Sequence, residues 1–147
     1  MRFMILVKSH PEFEAATSPD PDPAVLAEMG RYHEELARAG VLLDGNGLHP
    51  SRKGWRVEYG TAGLRVIDGP FAETKELIAG YTLIQVVSRE EALAWSRRFP
   101  NPVGAGREAV VEVRQRFELD DFTPGAEVER MKHLAMGGAG SEQGSGP

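Results

Sequence analysis

The sequence predicts an α+β protein with a ferredoxin-like βαββαβ core and an inserted β-hairpin. Residues 2–8 and 81–87 carry apolar side chains on both faces, which is typical of central strands. Amphipathic patterns over residues 24–39 and 88–99 predict two helices. Without the hairpin, the order β-α-β, β-α-β is the split βαβ arrangement, with both helices on one face of an antiparallel sheet.

The first helix has clear start and stop signals. Four prolines within residues 10–23 predict a loop before it. Asp22 is a suitable N-cap, and Pro23 fits the first helical position because its missing N–H has no helical partner there. Gly40 follows residue 39 as the glycine expected just beyond a helix C-terminus.

A hairpin interrupts the second half of the fold. Residues 41–48 predict a strand, loosened by glycines. Residues 55–59 and 64–68 flank the run Gly-Thr-Ala-Gly, which predicts a hairpin with a four-residue loop. Residues 69–80 mix glycine, proline and charged side chains and predict a loop with one helical turn at most.

The last helix and strand complete the core. Ser88-Arg89-Glu90-Glu91 is a capping box that opens the short second helix, and Pro100 closes it. Residues 108–117 alternate polar and apolar side chains, which predicts a strand with one solvated face. The inward positions are Ala109, Val111, Val113 and Phe117.

Composition restricts the function classes. The chain has 147 residues, 41% hydrophobic residues and a net charge of −5, which favours one folded domain and argues against nucleic-acid binding. It has no cysteine and no apolar run long enough for a membrane span, so we expect a cytoplasmic protein without membrane contact. Residues 1–122 form the predicted domain. Residues 123–147 form a C-terminal extension, and its last part, 137–147, is predicted to be a flexible, dispensable tail.

Two amphipathic helices can cover only one face of the predicted sheet. The strands at residues 2–8 and 81–87 also carry large apolar groups on the other face. An uncovered apolar face normally marks an interface. We therefore expect a homodimer packed sheet to sheet, with more than about 1,200 Å² of total buried surface.

One loop contains several charged side chains that could take part in catalysis or ligand binding. It places the carboxylates of Asp68, Glu73 and Glu76 around the ammonium of Lys75, with Phe71 as an apolar anchor. Carboxylates held near an apolar wall have raised pKa values, as a general acid or base requires. The alternative is an ordinary surface turn with solvated charges.

Two further side chains complete the candidate pocket. His49 lies just after a predicted strand, where it fits a proton shuttle or a solvated loop histidine. Tyr81 begins the next strand, as an apolar wall of the pocket.

The familiar metal-binding and dinucleotide-binding motifs are incomplete in this sequence. His33-Glu34-Glu35 begins like a zinc-protease helix but lacks the second histidine. Gly45 and Gly47 have the spacing of the first two glycines of a dinucleotide-binding fingerprint, but Pro50 occupies the position of the third glycine. The four histidines show no metal-ligand spacing, so no metal or cofactor is expected.

The run DGPFAETKELIAGY at residues 68–81 resembles the signature of the YCII-related, or DGPF-type, family of small bacterial proteins. Residues 1–8, 34–54 and 101–122 agree with the family in order, so the resemblance covers nearly all of residues 1–122. It implies a dimeric α+β barrel of ferredoxin-like halves. Most members are uncharacterised; a distant relative resembles a dehydrochlorinase of a chlorinated hydroxyquinol, and DGPF-type genes often neighbour those of extracytoplasmic-function sigma factors.

The chain departs from the family at two positions. Asn46 stands where many relatives carry a glutamate. If that carboxylate is the catalytic base of those relatives, this chain has lost it. The YCII branch proper carries a helical histidine proposed to pair with an aspartate, but Met29 stands near that position and His33 lies one turn on. The resemblance therefore does not carry a His–Asp dyad over to this chain.

Three function classes compete. The first is an enzyme of elimination or isomerisation type on an aromatic or lactone-like small molecule, with Asp68 or Glu73 as base, His49 as shuttle and Lys75 as anion partner. The second is a non-catalytic ligand- or partner-binding module, tied to sigma-factor regulation. The third, a haem-degrading or quinol-oxidising barrel enzyme, ranks last because no histidine lies inside a predicted strand.

Overall fold

The computed structural model describes residues 1–18 and 20–134. It divides the chain into two units, Met1–Gln115 and a second unit that begins at Arg116. The predicted tail at residues 137–147 lies outside the described residues. In the part of the chain that is described, no helix is both long and apolar enough to cross a bilayer.

The first unit contains six strands and three helices. The strands are β1 (Arg2–Lys8), β2 (Leu42–Gly47), β3 (Trp55–Gly60), β4 (Gly63–Asp68), β5 (Ile78–Gln85) and β6 (Val111–Gln115). The helices are α1 (Pro11–Ala15), α2 (Pro23–Arg38) and α3 (Arg89–Arg97), with single 3₁₀ turns at Ser51–Lys53 and Thr74–Glu76. The second unit contains a 3₁₀ turn at Leu119–Asp121 and helix α4 (Ala126–His133).

Four strands form one antiparallel sheet in the order β2-β5-β1-β6, and β3 pairs with β4 in a separate two-stranded sheet. Because β5 lies between β1 and β2, the predicted split βαβ order and the α+β class are confirmed. β2 and β6 are open edges of the four-stranded sheet, so the described strands do not close into a barrel within one chain.

The start and end of α2 follow the predicted signals. The Asp22 carboxylate accepts a hydrogen bond from the Ala24 N–H at 2.8 Å, and Pro23 occupies the first turn. Gly40 adopts a φ of +72°, a left-handed conformation that costs a glycine little.

The core lies between the four-stranded sheet and α2 with α3. Its buried side chains are Phe3, Ile5, Tyr32, Leu36, Val41, Ile84, Val86 and Ala92. Since cross-strand partners share a face, the alternate residues define the opposite side of the sheet. We call this side the open face; its members include Met4, Leu6, Asp44, Asn46, Tyr81, Leu83, Glu112 and Arg114.

The predicted loop at residues 10–23 contains a short helix, so that prediction was incomplete. His10 caps α1: its Nδ1 accepts a hydrogen bond from the Glu12 N–H at 3.2 Å, and Pro11 stands at the first position. The Glu12 carboxylate pairs with both terminal nitrogens of Arg107. That hydrogen bonding lowers the pKa of Glu12 below its usual range.

Two strand predictions were also inaccurate at their ends. Gly60 pairs with Gly63, so the hairpin turn has two residues, Thr61 and Ala62, in place of four. β6 ends at Gln115, and Phe117 is exposed in the second unit, where its ring lies 5.4 Å from that of Phe122. Alternation in the sequence continues past Gln115, but the pairing with β1 does not.

Within the second unit, ion pairs accompany α4. The Lys132 ammonium lies 2.9 Å from an Asp120 carboxylate oxygen, and hydrogen bonding to Asp120 raises the pKa of Lys132.

The buried Tyr32 predicts an alkaline loss of stability. Its hydroxyl donates to the Trp95 carbonyl at 2.9 Å, and burial raises its pKa to about 12 despite the opposing charge of Arg98. Because tyrosine in an unfolded chain has a pKa near 10, the stabilisation is complete below about pH 10 and is lost as the pH rises toward 12.

The measurement is an absorbance titration of tyrosine ionisation, combined with urea unfolding at pH 9 to 11.5. Of the chain's three tyrosines, we expect one to ionise last, and Tyr32→Phe to remove that step. Tyr59→Phe, which changes an exposed ring, serves as the matched control. A last step that persists in Tyr32→Phe would contradict the assignment.

Candidate functional site

The predicted site residues gather at one end of the four-stranded sheet. The loop of residues 68–77, here the DGPF loop, leads from β4 into β5. The Leu77 carbonyl accepts from the Ser9 N–H at 2.9 Å, just after β1. The Leu48 N–H donates to the Ala79 carbonyl at 2.8 Å, just after β2. The ends of β1 and β2 and the start of β5 are therefore tied together at the DGPF loop.

Phe71 anchors this loop, but outside the main core. Its ring is half-buried and lies under the Arg56 guanidinium, whose central carbon is 3.8 Å from the ring centroid. Its N–H donates to the Ser51 hydroxyl at 3.0 Å. Phe71 thus joins the DGPF loop to the hairpin and to the turn at Ser51–Lys53.

The same turn is held by α1. The Glu14 carboxylate accepts two hydrogen bonds from Ser51, from its N–H at 3.0 Å and from its hydroxyl at 2.5 Å. The Arg52 guanidinium donates to the carbonyls of Glu14 and Ala16. The hydrogen-bonding groups of Ser51 are therefore engaged in structural contacts. Through its bonds with Glu14 and Phe71, Ser51 connects α1 to the DGPF loop.

Gly69 permits a close backbone approach in the DGPF loop. Its N–H donates to the Gly54 carbonyl at 3.0 Å. A Cβ at this position would lie 1.9 Å from the Ser51 carbonyl oxygen. Only glycine fits between these backbones without a shift of the loop.

The charged residues predicted for catalysis and ligand binding face outward on the single chain. The side chains of Asp68, Glu73, Lys75, Glu76 and His49 are exposed. Among the residues that the structure describes, no ion pair joins the Lys75 ammonium to the Glu73 or Glu76 carboxylate. One chain therefore does not bring these groups into an acid–base pair, and their roles stay predictions.

Tyr81 belongs to a polar cluster on the open face. Its hydroxyl donates to the Asp44 carboxylate at 2.7 Å and accepts from the Asn46 amide at 3.2 Å. Asp44 also accepts from the Asn46 amide at 3.0 Å and from the Gly45 N–H at 2.8 Å. A phenol bonded to a carboxylate is a charge-assisted pair, which is shorter and stronger than a neutral one.

Sequence reasoning missed Asp44 and Asn46. The available signal is their spacing of two residues in a strand, which places both side chains on one face, with Gly45 and Gly47 at the alternate positions. Their meeting with Tyr81 depends on the pairing of β2 with β5, where Asn46 lies opposite Tyr81.

Apolar side chains occupy the middle of the open face. Met4, Leu6 and Leu83 are half-buried there, beside the polar cluster. At the other edge of the sheet, a guanidinium nitrogen of Arg114 lies 3.5 Å from a carboxylate oxygen of Glu112. The face therefore offers an apolar floor with hydrogen-bonding groups at one side, the usual composition of a small-molecule site.

His33 lies on the opposite, helix-covered side of the sheet. Its Nδ1 is 2.8 Å from the Met29 carbonyl, which can only accept, so this nitrogen carries a proton. In the neutral ring, Nε2 then accepts from the Thr82 hydroxyl at 2.8 Å. A Cβ on Gly45 would lie 3.2 Å from Nε2, so the glycine leaves space for the imidazole. His33 is a packed helical histidine.

An open groove of about 230 Å³ lies along α2 and the end of α3, away from the open face. Its lining residues are Glu28, Arg31, Tyr32, Glu35, Arg98 and Pro100. Arg98 pairs with Glu35 and lies over the Trp95 ring at 4.8 Å. In the described part of the chain, no group of three or more His, Asp or Glu side chains is arranged to hold a metal ion.

The fold and this polar cluster define an α+β protein of split βαβ topology with hydrogen-bonding groups on its uncovered sheet face. The YCII-related domain matches residues 1–118, and the chain belongs to the YCII-related family. It is 30% identical over 101 residues to an uncharacterized protein of Rhizobium meliloti (strain 1021), covering 69% of this chain and 82% of that protein.

Proposed function

We propose that this YCII-related protein binds a small molecule between the open face and the DGPF loop and performs acid–base chemistry of elimination or isomerisation type on it. The observation that carries the proposal is the Tyr81–Asp44 hydrogen bond of 2.7 Å beside an apolar floor. Because this phenol donates its one proton to Asp44, its oxygen can accept a hydrogen bond from a polar group of a bound molecule at a fixed position.

Asp44 acts as a positioning residue in this proposal. Its carboxylate already accepts from Gly45, Asn46 and Tyr81. These three donors occupy its acceptor oxygens, so Asp44 is better suited to orient the phenol than to contact the ligand itself.

The proton-accepting role falls to the DGPF loop. Asp68 or Glu73 is the proposed base, and His49 the proposed shuttle. Lys75 and Glu76 contact polar groups of the ligand, while Phe71 and Tyr81 form walls of the pocket. The position of the DGPF loop at the start of β5 supports this assignment, because Tyr81 lies only four residues beyond Leu77.

A second copy completes the proposed pocket. Met4, Leu6 and Leu83 lie on the side of the sheet opposite the helices α2 and α3. Packing the open faces of two chains would cover these side chains and form the dimeric α+β barrel that the family resemblance implies. The exposed carboxylates of the DGPF loop would then lie at the rim of an enclosed space.

The second candidate is a non-catalytic ligand- or partner-binding module, with the sigma-factor association that the resemblance implies. The exposure of Asp68, Glu73 and Glu76 on the single chain favours it. The chromophore 4-nitrocatechol separates the two candidates, because its visible spectrum reports its ionisation. An acid–base site ionises the bound probe and loses this ability in Asp68→Asn or Glu73→Gln. A simple binding module leaves the spectrum of the bound probe unchanged in every variant.

Removing the Tyr81 hydroxyl should weaken probe binding. The Tyr81 oxygen would accept a hydrogen bond from a neutral hydroxyl of the probe, and such a bond contributes about 0.5–1.5 kcal/mol. Tyr81→Phe should therefore raise the Kd of 4-nitrocatechol about two- to tenfold. Calorimetric titration measures this change. The matched control is Tyr59→Phe, because Tyr59 is exposed on the hairpin, and its Kd should equal that of the wild type. Equal Kd values for both variants would contradict the proposed site.

A further inference from the structure

The hairpin β3–β4 has one face with exposed apolar side chains. Trp55, Val57, Tyr59, Leu64 and Val66 share this face, because Val57 lies opposite Val66 and Tyr59 opposite Leu64. At its end next to the DGPF loop, Asp68 lies opposite Trp55 on the same side. Trp55 is 64% exposed and Tyr59 is 83% exposed. We call these five side chains the hairpin face.

The other side of the hairpin is polar and already engaged. Glu58 and Arg65 form an ion pair of 2.7 Å, and Arg56 covers the Phe71 ring. The two strands thus separate a polar side, which faces the DGPF loop, from an apolar side that is exposed. An isolated two-stranded hairpin is marginally stable in water, so covering the hairpin face would stabilise it.

We propose that the hairpin face is an interaction surface for a second copy of this chain, with the hairpins of two chains packed face to face about a two-fold axis. This pairing is separate from the open-face pairing, and it needs none of the roles proposed for the pocket. A self-complementary apolar patch is what an isologous interface requires.

The area of the patch agrees with such a pair. Aromatic side chains bury roughly 150–250 Å² each, so Trp55 and Tyr59 alone expose on the order of 300 Å². With Val57, Leu64 and Val66, the hairpin face offers about 500 Å² per chain, near the upper end for a monomer's largest apolar patch. Two copies give about 1,000 Å², the lower limit for a specific interface.

The side chains of the hairpin face argue against a lipid surface or a nucleic acid as the partner. Arg56 and Arg65 lie on the opposite side of the hairpin, so no cationic side chain accompanies the apolar residues. Membrane-surface and nucleic-acid contacts rely on Lys and Arg beside the aromatic groups.

Thiol protection tests the proposal directly, because the chain contains no cysteine. Val57→Cys places a thiol on the hairpin face, and Glu58→Cys places one on the opposite side of the same strand. We expect the thiol at position 57 to be alkylated at least tenfold more slowly at high protein concentration than at low concentration. The thiol at position 58 should react equally fast at both.

Sedimentation equilibrium provides the second readout. The double variant Tyr59→Glu/Leu64→Glu changes exposed side chains and should raise the Kd of self-association at least tenfold, whereas Arg65→Glu on the polar side should not. Circular dichroism checks that each variant is folded. An unchanged Kd, together with concentration-independent alkylation at position 57, would overturn the proposal. Protection of that thiol only by anionic lipid vesicles would also overturn it, in favour of a membrane partner.

The open-face pairing is tested separately, by Leu83→Glu. Since the two pairings are separate, Leu83→Glu should still self-associate through the hairpin face, with the thiol at position 57 still protected at high concentration. Loss of both the association and the protection in Leu83→Glu would refute a separate hairpin pairing and leave the proposed pocket intact.

Discussion

Replacing Leu36 by alanine is expected to lower the free energy of unfolding by about 2–5 kcal/mol. Leu36 lies in α2 with 0% exposure, packed in the cluster that includes Ile5 and Ile84. Alanine is the better helix former, so the loss comes from the missing contacts and the remaining cavity. Urea unfolding, followed by circular dichroism, measures the change.

Leu26→Ala is the matched control for this change. It makes the same substitution in the same helix, at a side chain that is 58% exposed. The free energy of unfolding should then change by about 0.5 kcal/mol or less. Equal losses in the two variants would mean that α2 does not pack on the sheet through Leu36.

Gly69→Ala is expected to destabilise the protein by about 1–3 kcal/mol, as overpacking does in other interiors. The new Cβ would lie 1.9 Å from the Ser51 carbonyl oxygen and 2.6 Å from its carbon. These are backbone atoms, so a side-chain rotation cannot relieve the contact. The DGPF loop must shift, which weakens the hydrogen bonds from Gly69 to Gly54 and from Phe71 to Ser51.

Gly30→Ala makes the same chemical change with the opposite expected sign. Gly30 lies inside α2, and a Cβ there would meet no atom within 4 Å. Alanine should therefore stabilise the protein by about 0.5–1 kcal/mol through its helix propensity. A stabilising Gly69→Ala would show that the DGPF loop does not approach the Ser51 backbone.

Local signals predicted much of the fold because they act within a few residues. The cap at Asp22, the end of α2 at Gly40 and the cap at Ser88 are confirmed, since each depends on neighbouring backbone groups. Helix α1 was missed because the surrounding prolines predict a loop, and the cap by the His10 ring is an uncommon one. The burial of Phe117 was wrong because strand pairing, not alternation, ends β6.

The candidate site depends more on long-range contacts. The position of the DGPF loop after a strand could be read from the sequence, but its attachment through Ser51 to Glu14 joins residues 37 positions apart. The Asp44–Tyr81 pair has the same separation of 37 positions, so only the pairing of β2 with β5 reveals it. The alternation in the hairpin predicts its two faces, but not that the apolar one is left uncovered.

The most direct test of the proposed site is a nuclear magnetic resonance titration of ¹⁵N-labelled protein with 4-nitrocatechol. If the ligand binds between the open face and the DGPF loop, the largest saturable amide shifts should fall on Asp44, Asn46, Tyr81 and the DGPF loop. They should saturate at a higher ligand concentration in Tyr81→Phe and at an unchanged concentration in Tyr59→Phe. The largest shifts at Tyr32 and Arg98, in the groove along α2 and α3, would contradict the account.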